Sequence, residues 1–370
     1  MTIEDSGESV LPLGLDQRLR AIHPGCRVLS ARQLGTGETK AEGETTKAIG
    51  YGRPIDISLA LADGTERRLV FHTASPDDFG HDRRSDRVAA MLLSYDTFAL
   101  LPRHVRAVDV GVLAADGALV PLVGTGEGYF VTEWAEGTLY AADLRRIAES
   151  GQVTADDVAR TERLARLLAQ IHRLPGTHEG AYVRAWRDTI GSGEGIAGMV
   201  DGYPPGTPGA PPERLAAIER ACLGHRQRHK SKTSRLRRTH GDFHPFNLLF
   251  DARGEPVLLD TSRGSEGEPA DDVACLAINY LFFGVEHRAQ WASGLGKLWQ
   301  RFFEIYLAES GDAELFELIA PFFAWRGLVV ASPRWYPNLA AEDRSRILGF
   351  VERALAAERF EPALGVEAMC

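Results

Sequence analysis

The sequence predicts an α+β protein in two lobes, a smaller strand-rich lobe over residues 1–134 and a larger, mostly helical lobe over residues 135–370. Three observations predict this division. A chain of 370 residues is longer than one ordinary hydrophobic core requires, so two cores of unequal size are expected. Alternating apolar and polar residues dominate before about residue 135. Apolar residues spaced three or four positions apart dominate after it.

The first lobe is predicted to consist of strands and turns with one helix. Residues 55–61 alternate apolar with polar or small residues, as a half-buried strand does. Asp63-Gly64 is a strong hairpin signal, so the next apolar segment is its returning arm. The predicted elements are strands at residues 28–34, 55–61, 67–72, 119–123 and 128–134 and a helix at residues 84–100.

The second lobe is predicted to be helical on either side of a central hairpin. Apolar residues recur every three or four positions along residues 154–173, and Thr154 with Asp157 resembles a capping box at the start. Further helices are predicted at residues 213–225 and through most of residues 271–357, whereas residues 191–212, rich in Gly and Pro, predict a loop.

The composition excludes several classes of protein. Hydrophobic residues make up 44% and charged residues 25% of the chain, which is typical of a globular protein. The net charge of -9 disfavours binding to nucleic acid. No apolar run approaches the ~20 residues of a membrane helix, and the acidic N-terminus lacks the pattern of a secretory signal. The four cysteines are scattered, so we expect reduced thiols in a cytoplasmic protein that binds no membrane.

Residues 239–251, with the sequence THGDFHPFNLLFD, carry polar side chains suited to catalysis and are called the 239–251 loop below. Asp242 and Asn247 lie five positions apart in a segment that Pro245 interrupts, so their side chains can converge. A hairpin then returns Asp260 to the same end. One carboxylate is thus free to act, while an amide oxygen and a second carboxylate suit Mg²⁺. Kinases divide these roles among the same residue types in phosphoryl transfer.

The run H-G-D-x-H-x-x-N from His240 to Asn247, followed by V-L-L-D ending at Asp260, resembles the core of the aminoglycoside phosphotransferase and choline kinase-like family. Three further segments agree with this family. They are the Leu/Ile-His helix end at residues 167–172, the G-D-P-x-x-D-L-A-like segment at residues 267–274 and the inter-lobe strand and hinge at residues 129–137. The resemblance is close over residues 125–275 and looser elsewhere.

The resemblance implies a protein kinase-like fold and an enzyme that uses ATP or GTP with Mg²⁺, the nucleotide lying between the lobes. Asp242 would be the catalytic base, or the residue that orients the acceptor hydroxyl. Asn247 and Asp260 would bind Mg²⁺. His240 and Asp272 would brace the loop.

By the same resemblance, backbone groups near Glu133 and Ala135 would hold the adenine or guanine base. The first lobe departs from the pattern, because a kinase normally places a Lys on its third strand and pairs it with a Glu on the next helix. Here the third strand offers His72, and the helix offers Asp86 or Val88.

Three explanations of this departure remain open. Lys40 or Lys47, from the glycine-rich segment, reaches the phosphates; Gly35 and Gly37 would let backbone N–H groups approach them as well. Alternatively, His72 supplies the positive charge beside the phosphates as an imidazolium. In the third case the chain binds nucleotide poorly and is a pseudokinase that acts as a binding module. We prefer the first explanation.

Residues 225–238 contain seven Lys or Arg and lead into the 239–251 loop. They form either a solvated helix end with a connecting strand, or an electropositive rim for an anionic or peptidic substrate. The acceptor is a small hydroxyl-bearing molecule, or alternatively a Ser or Thr of a peptide or protein. Residues of the C-terminal helices that are candidates for acceptor binding, although each is also consistent with core packing, are Tyr280, Trp325, Arg326, Arg334, Trp335 and Tyr336.

Overall fold

The computed structural model describes residues 12, 14–34, 54–77, 79–261 and 263–370. The chain divides into two compact units, Met1–Val131 and Thr132–Cys370. The first contains a small antiparallel sheet and the second is mostly helical, which confirms the predicted α+β class with a small sheet-containing and a larger helical part. The predicted phosphate-binding residues of the glycine-rich segment lie outside the described residues: Gly35, Gly37, Lys40 and Lys47.

The first unit is built on an antiparallel meander in the order β1-β2-β3. Its elements are α1 (Leu15–Ile22), β1 (Arg27–Gln33), β2 (Ile55–Ala60), β3 (Glu66–Phe71), α2 (Arg84–Phe98), β4 (Gly111–Leu113) and β5 (Leu119–Pro121). The prediction of one helix was wrong, because α1 precedes the sheet. Leu15 and Leu19, one helical turn apart, are buried with Ile57 and Leu59 of β2, and this contact stabilises the short helix.

The predicted strand at residues 128–134 is also wrong. These residues form no strand with any residue that the structure describes. Their apolar side chains are exposed, with Tyr129 at 91% and Phe130 at 82% of full accessibility. Apolar sequence favours a strand only where a partner strand supplies the backbone hydrogen bonds, and none of the described strands pairs with this segment.

The second unit surrounds the 239–251 loop with helices. Its strands are β6 (Thr138–Leu139), β7 (Arg237–Arg238), β8 (Leu248–Phe250), β9 (Pro256–Leu258) and β10 (Glu266–Gly267). Its helices are α3 (Tyr140–Ser150), α4 (Ala155–His172), α5 (Gly180–Gly191), α6 (Ile196–Asp201), α7 (Pro212–His229), α8 (Pro269–Gly284), α9 (Leu295–Ser310), α10 (Leu315–Leu318), α11 (Ala320–Val330), α12 (Ala341–Ala356) and α13 (Ala363–Met369). Short 3-10 turns lie at Thr233–Arg235 and Val285–Gln290.

Two small sheets fix the ends of the 239–251 loop. Before the loop, β7 pairs with β10. At its other end, residues 248–250 of the loop form β8, which pairs with both β6 and β9, so the predicted central hairpin is confirmed. Helix α8 is buried along most of its length and packs against α9 and α11. The loop is therefore held by backbone pairing at both ends and lies on a buried helix.

Helix α6 corrects another prediction, since residues 191–212 are not wholly loop. Ile196 is buried and anchors this short helix in the main core. Among the described residues, no helix is both long and apolar enough to cross a membrane. The four cysteines are unpaired: Cys26, Cys222 and Cys275 are buried, and Cys370 is exposed.

The predicted capping box at the start of α4 is confirmed. The Thr154 hydroxyl oxygen accepts a hydrogen bond from the Asp157 backbone N–H at 3.2 Å, and the Asp157 carboxylate accepts from the Thr154 N–H at 2.8 Å. We expect Thr154→Ala to lower the free energy of unfolding by about 1 kcal/mol, and hence Tm by roughly 2–4 °C for a unit of this size. Thr154→Ser, which keeps the hydroxyl, is the control in thermal denaturation. An Ala variant as stable as the Ser variant would contradict this role.

Candidate active site

The backbone of the 239–251 loop is held by one buried carboxylate. Asp272, in the first turn of α8, accepts hydrogen bonds from the N–H groups of His240 at 2.7 Å and Gly241 at 2.8 Å. His172, the last residue of α4, donates from Nε2 to the same carboxylate at 3.1 Å. Because a carboxylate only accepts, the proton of a neutral ring lies on Nε2, and Nδ1 then accepts from the Tyr306 hydroxyl at 2.8 Å. Burial alone would raise the pKa of Asp272, but these bonds hold it below its usual range.

Turns inside the loop then bring the predicted functional side chains together. Gly241 has φ +81°, a conformation that glycine adopts without strain. The His244 N–H donates to the Asp242 carbonyl at 2.9 Å, and the Asn247 N–H donates to the His244 carbonyl at 2.8 Å. The Asn247 side-chain amide donates to the Asp242 carbonyl at 3.1 Å. Asp242 and Asn247 therefore converge as their spacing predicts.

The carboxylate of Asp242 is bound at both oxygens. Arg326 Nη1 donates to its Oδ1 at 2.8 Å. His244 Nε2 lies 3.3 Å from its Oδ2. Because His244 Nδ1 accepts a hydrogen bond from the Phe246 N–H at 3.2 Å, the proton of a neutral ring lies on Nε2, facing Asp242.

These contacts decide the ionisation of Asp242. Burial raises its pKa, but the His244 hydrogen bond and the positive charges of Arg326 and Arg263 outweigh burial and hold the pKa well below its usual range. The carboxylate is therefore ionised at any physiological pH. Since the folded-state pKa is depressed, the stability that Asp242 contributes is present above its unfolded pKa of about 4 and is lost only on stronger acidification.

Arg326 is the residue whose role sequence reasoning missed. The sequence indicates it only as an acceptor-binding candidate, yet it is 7% exposed and contacts three parts of the site. Nη1 reaches Asp242, while Nη2 donates to the Gly241 carbonyl at 2.8 Å and to Asp271 at 2.7 Å. Its guanidinium carbon lies 4.0 Å above the Trp325 ring. An Arg within the apolar sequence of α11 was the available signal, because a buried guanidinium needs charged or hydrogen-bonding partners.

Asn247 and Asp260 offer oxygen ligands that fit a magnesium ion. The Leu259 N–H donates to the Asn247 carbonyl at 2.9 Å, so pairing of β8 with β9 places Asp260 beside Asn247. The Asn247 Oδ1 receives no hydrogen bond from the described residues, and Asp260 is exposed. Among those residues, no group of three or more His, Cys, Asp or Glu side chains could hold a metal ion. One amide and one carboxylate nevertheless suit Mg²⁺, which takes few ligands from protein and completes its shell with phosphate and water.

The remaining predicted residues have different surroundings. His240 accepts from the Asp242 N–H at 3.3 Å through Nδ1 and packs against Phe243, as a bracing residue would. Glu133 is exposed and Ala135 half-buried, in an irregular segment. His72 is exposed and lies just beyond the end of β3. Asp86 accepts from the Arg83 N–H and so caps α2.

The basic segment at residues 225–238 is compensated in part, because three of its seven Lys and Arg side chains pair with carboxylates. Lys232 lies 3.4 Å from Glu317, Arg235 bonds Glu268 and Asp312, and Arg238 lies 3.2 Å from Glu266. Arg237 donates to backbone carbonyls. Burial and neighbouring positive charge lower the pKa of His229 to about 4, so it is neutral at pH 7. Arg226, Arg228 and Lys230 have no carboxylate partner among the residues that the structure describes, so a helix end and connecting strand carry this positive charge and the electropositive rim stays a prediction.

The other acceptor-binding candidates are divided between core and surface. Tyr280 is fully buried and its hydroxyl contacts that of Tyr140 at 3.1 Å. Trp325 is buried and donates from Nε1 to the Glu194 carbonyl. Trp335 is 53% exposed with Arg334 over its ring, and Tyr336 packs against Phe282. Tyr280 therefore belongs to the packing of the core, while Arg334 and Trp335 lie at the surface.

Comparison with known proteins identifies the family to which the chain belongs. The sequence model described as "Phosphotransferase enzyme family" matches residues 65–308, which is more than half of the chain. No curated protein matches the sequence. The chain is similar to a choline kinase from Streptococcus pneumoniae, with 14% identity over 92% of this chain and 97% of the other and a TM-score of 0.36.

Two further solved structures are similar. A glucosamine kinase shares 15% identity over 92% of this chain and 94% of the other, with a TM-score of 0.41. An aminoglycoside phosphotransferase from Streptomyces rimosus shares 17% identity over 73% and 89%, with a TM-score of 0.31. Identities and TM-scores this low support no conclusion about the site. The functional interpretation of the site therefore depends on the family match and on the geometry of the 239–251 loop.

We expect Asp272→Ala to destabilise the second unit strongly, because two buried backbone N–H groups and one histidine lose their shared acceptor. The expected loss is about 3–5 kcal/mol, the range for breaking a buried charged network. Chemical denaturation measures it, with Asp156→Ala as control, since Asp156 is an exposed aspartate in the first turn of α4. Equal losses in the two variants would show that Asp272 does not hold the loop.

Proposed function

Because the chain belongs to the phosphotransferase enzyme family, we propose that it transfers the γ-phosphoryl group of ATP or GTP to a hydroxyl group of a small-molecule acceptor, with Mg²⁺. The observation that carries this proposal is the ionised carboxylate of Asp242, held in a hydrogen-bonded turn with Asn247. Asp272 and Arg326 fix this turn from two helices, α8 and α11. A rigid loop with one poised carboxylate is what an in-line phosphoryl transfer requires.

The depressed pKa of Asp242 decides what it does in the proposed reaction. Because this carboxylate is a weak base, proton transfer from an alcohol to it has advanced only slightly before the phosphorus–oxygen bond forms. Its first role is therefore to accept a hydrogen bond from the acceptor hydroxyl and orient the oxygen towards the phosphorus. It receives the proton late, as the new bond makes the hydroxyl acidic, which fits a loose transition state.

We propose that Asn247 Oδ1 and the Asp260 carboxylate hold the magnesium ion. When bound, the ion neutralises charge on the phosphate oxygens. We further propose that Lys40 or Lys47 supplies the cation that the third strand lacks, that His72 is not needed for it, and that backbone groups near Glu133 and Ala135 hold the base of the nucleotide. The cytoplasm is the compartment we propose, since the four cysteines are unpaired.

We expect Asp242→Asn to lower kcat by on the order of 10²-fold or more while leaving nucleotide affinity nearly unchanged. The amide keeps the size of the side chain but cannot accept a proton. Steady-state kinetics with a panel of small alcohols, amino alcohols and sugars, run beside a peptide panel, measures the effect and separates the two acceptor classes. Asp201→Asn, on an exposed aspartate, is the control. Full activity of the Asp242 variant would refute its assigned role.

We expect the protein to bind ATP or GTP tightly in calorimetry only when Mg²⁺ is present, and we expect this binding to be lost in Asp260→Ala. Removing the carboxylate leaves the amide of Asn247 alone, which is too weak a ligand set for the ion. Asp201→Ala is the control. Failure of the folded wild type to bind either nucleotide would instead support the pseudokinase alternative.

A further inference from the structure

A small cavity lies beside the 239–251 loop, within the second unit. Its volume is about 30 Å³, and its described lining includes Thr239, Gly241, Arg263, Gly267 and Phe322. A single water molecule needs roughly 10–15 Å³, so the cavity has room for about two oxygen atoms. Gly241 in this lining immediately precedes Asp242, so the cavity lies against the backbone that leads into the proposed catalytic residue.

Arg263 enters this cavity with unused hydrogen-bonding capacity. Its guanidinium carbon lies 4.1 Å above the Trp325 ring, which also carries the Arg326 guanidinium. Its Nη2 is buried and has no hydrogen-bond partner among the described residues. Burial and the charge of Arg326 lower the pKa of Arg263, yet a guanidinium stays protonated. A buried cationic N–H without an acceptor is costly, and such groups in native proteins commonly have a ligand that completes them.

The acidic residues that line the cavity are already engaged elsewhere. Asp271 accepts from Arg326 at 2.7 Å, and Asp188 from Arg184 at 3.0 Å. Two further carboxylates are bound as well. Glu266 accepts from Thr177 and Arg238, and Glu268 from Arg235 and Tyr182. Of the charged lining residues that the structure describes, Arg263 therefore has donors left for a ligand, and the ligand it suits is an anion.

We propose that this cavity binds a compact oxyanion, a carboxylate or a phosphate group, through the side chain of Arg263. Resting on the proposed function, the oxyanion belongs to the acceptor, which then carries its reactive hydroxyl a short distance from the anionic group. Arginine matches the two oxygens of such a group with two parallel N–H donors. The volume suits a carboxylate better than the larger phosphate.

The experiment is a thermal denaturation titration of the full chain with formate, inorganic phosphate or chloride at constant ionic strength. A ligand that binds only the folded state stabilises it by RT ln(1 + [L]/Kd), so Tm rises with the ligand concentration. The variants are Arg263→Lys, which keeps a charge but loses the planar pair of donors, and Arg263→Gln. Arg253→Gln is the matched control, because the Arg253 side chain is 85% exposed in the β8–β9 turn. Circular dichroism of each variant reports folding.

We expect formate, or phosphate, to raise the Tm of wild type and of Arg253→Gln above the chloride series. In Arg263→Lys the apparent affinity should fall by on the order of tenfold, because an ammonium does not reproduce the bidentate contact. Formate active alone assigns a carboxylate, and phosphate active alone assigns a phosphate group. An equal Tm in all three salts, or an oxyanion effect that persists in both Arg263 variants, overturns the proposal.

Nucleotide turnover separates this proposal from the proposed function. An oxyanion effect that depends on Arg263 in a protein that turns over neither ATP nor GTP supports the anion site and refutes the phosphotransferase activity. Turnover with neutral acceptors, without any oxyanion effect, refutes the anion site and leaves the phosphotransferase activity standing. If Arg263→Gln does not fold, the wild-type salt series and Arg263→Lys still decide the matter.

Discussion

The candidate active site depends on the carboxylate of Asp272, which is fully buried and binds the backbone of the 239–251 loop. A buried charge is tolerated only when its hydrogen bonds are complete, and here two N–H groups and an imidazole complete them. Through His172 and Tyr306 the same network reaches α4 and α9. Buried hydrogen bonds to the helical core therefore set the position of the loop.

Arg326 adds a second constraint from the opposite helix. It binds the Gly241 carbonyl, while Asp272 binds the Gly241 N–H, so one peptide segment is held on both of its polar sides. The same guanidinium bonds Asp242 and Asp271. Replacing such a network by apolar side chains often raises stability. A charged arrangement at this point is consistent with a requirement of function, namely a carboxylate held ionised in a partly dry site.

The sequence predicted most of the second unit because its signals are local. The apolar stripe and capping box of α4, the β8–β9 hairpin and the convergence of Asp242 with Asn247 each depend on residues close together in the chain. The α+β, protein kinase-like class is confirmed by the family match. Errors arose where tertiary contact overrides local pattern. Helix α1 forms because Leu15 and Leu19 pack with β2, and residues 128–134 have no partner strand in the part of the chain that the structure describes.

Arg326 and the basic segment at residues 225–238 show that local sequence also fails to report the long-range partners of site residues. Arg326 lies 84 positions from Asp242, and no local pattern reports that pairing. Arg235 is matched by Glu268 and Asp312, far along the chain, so the sequence of one segment does not report which of its charges are compensated. Sequence identifies residues suited to chemistry, whereas their partners are set by how the helices pack. The roles assigned to Asp242, Asn247 and Asp260 stay predictions until they are tested.

The contacts of Arg326 and His244 with the carboxylate of Asp242 have a consequence for hydrolysis of the nucleotide without transfer to an acceptor. In the proposed reaction water competes with the acceptor for the same phosphoryl group, and water is the more abundant nucleophile. A strongly basic carboxylate would activate either one. A weakly basic one discriminates in favour of a hydroxyl that other contacts have already placed, so an idle enzyme would hydrolyse its donor slowly. Arg326 and His244 would thereby protect the cell's nucleotide supply as well as position the reacting group.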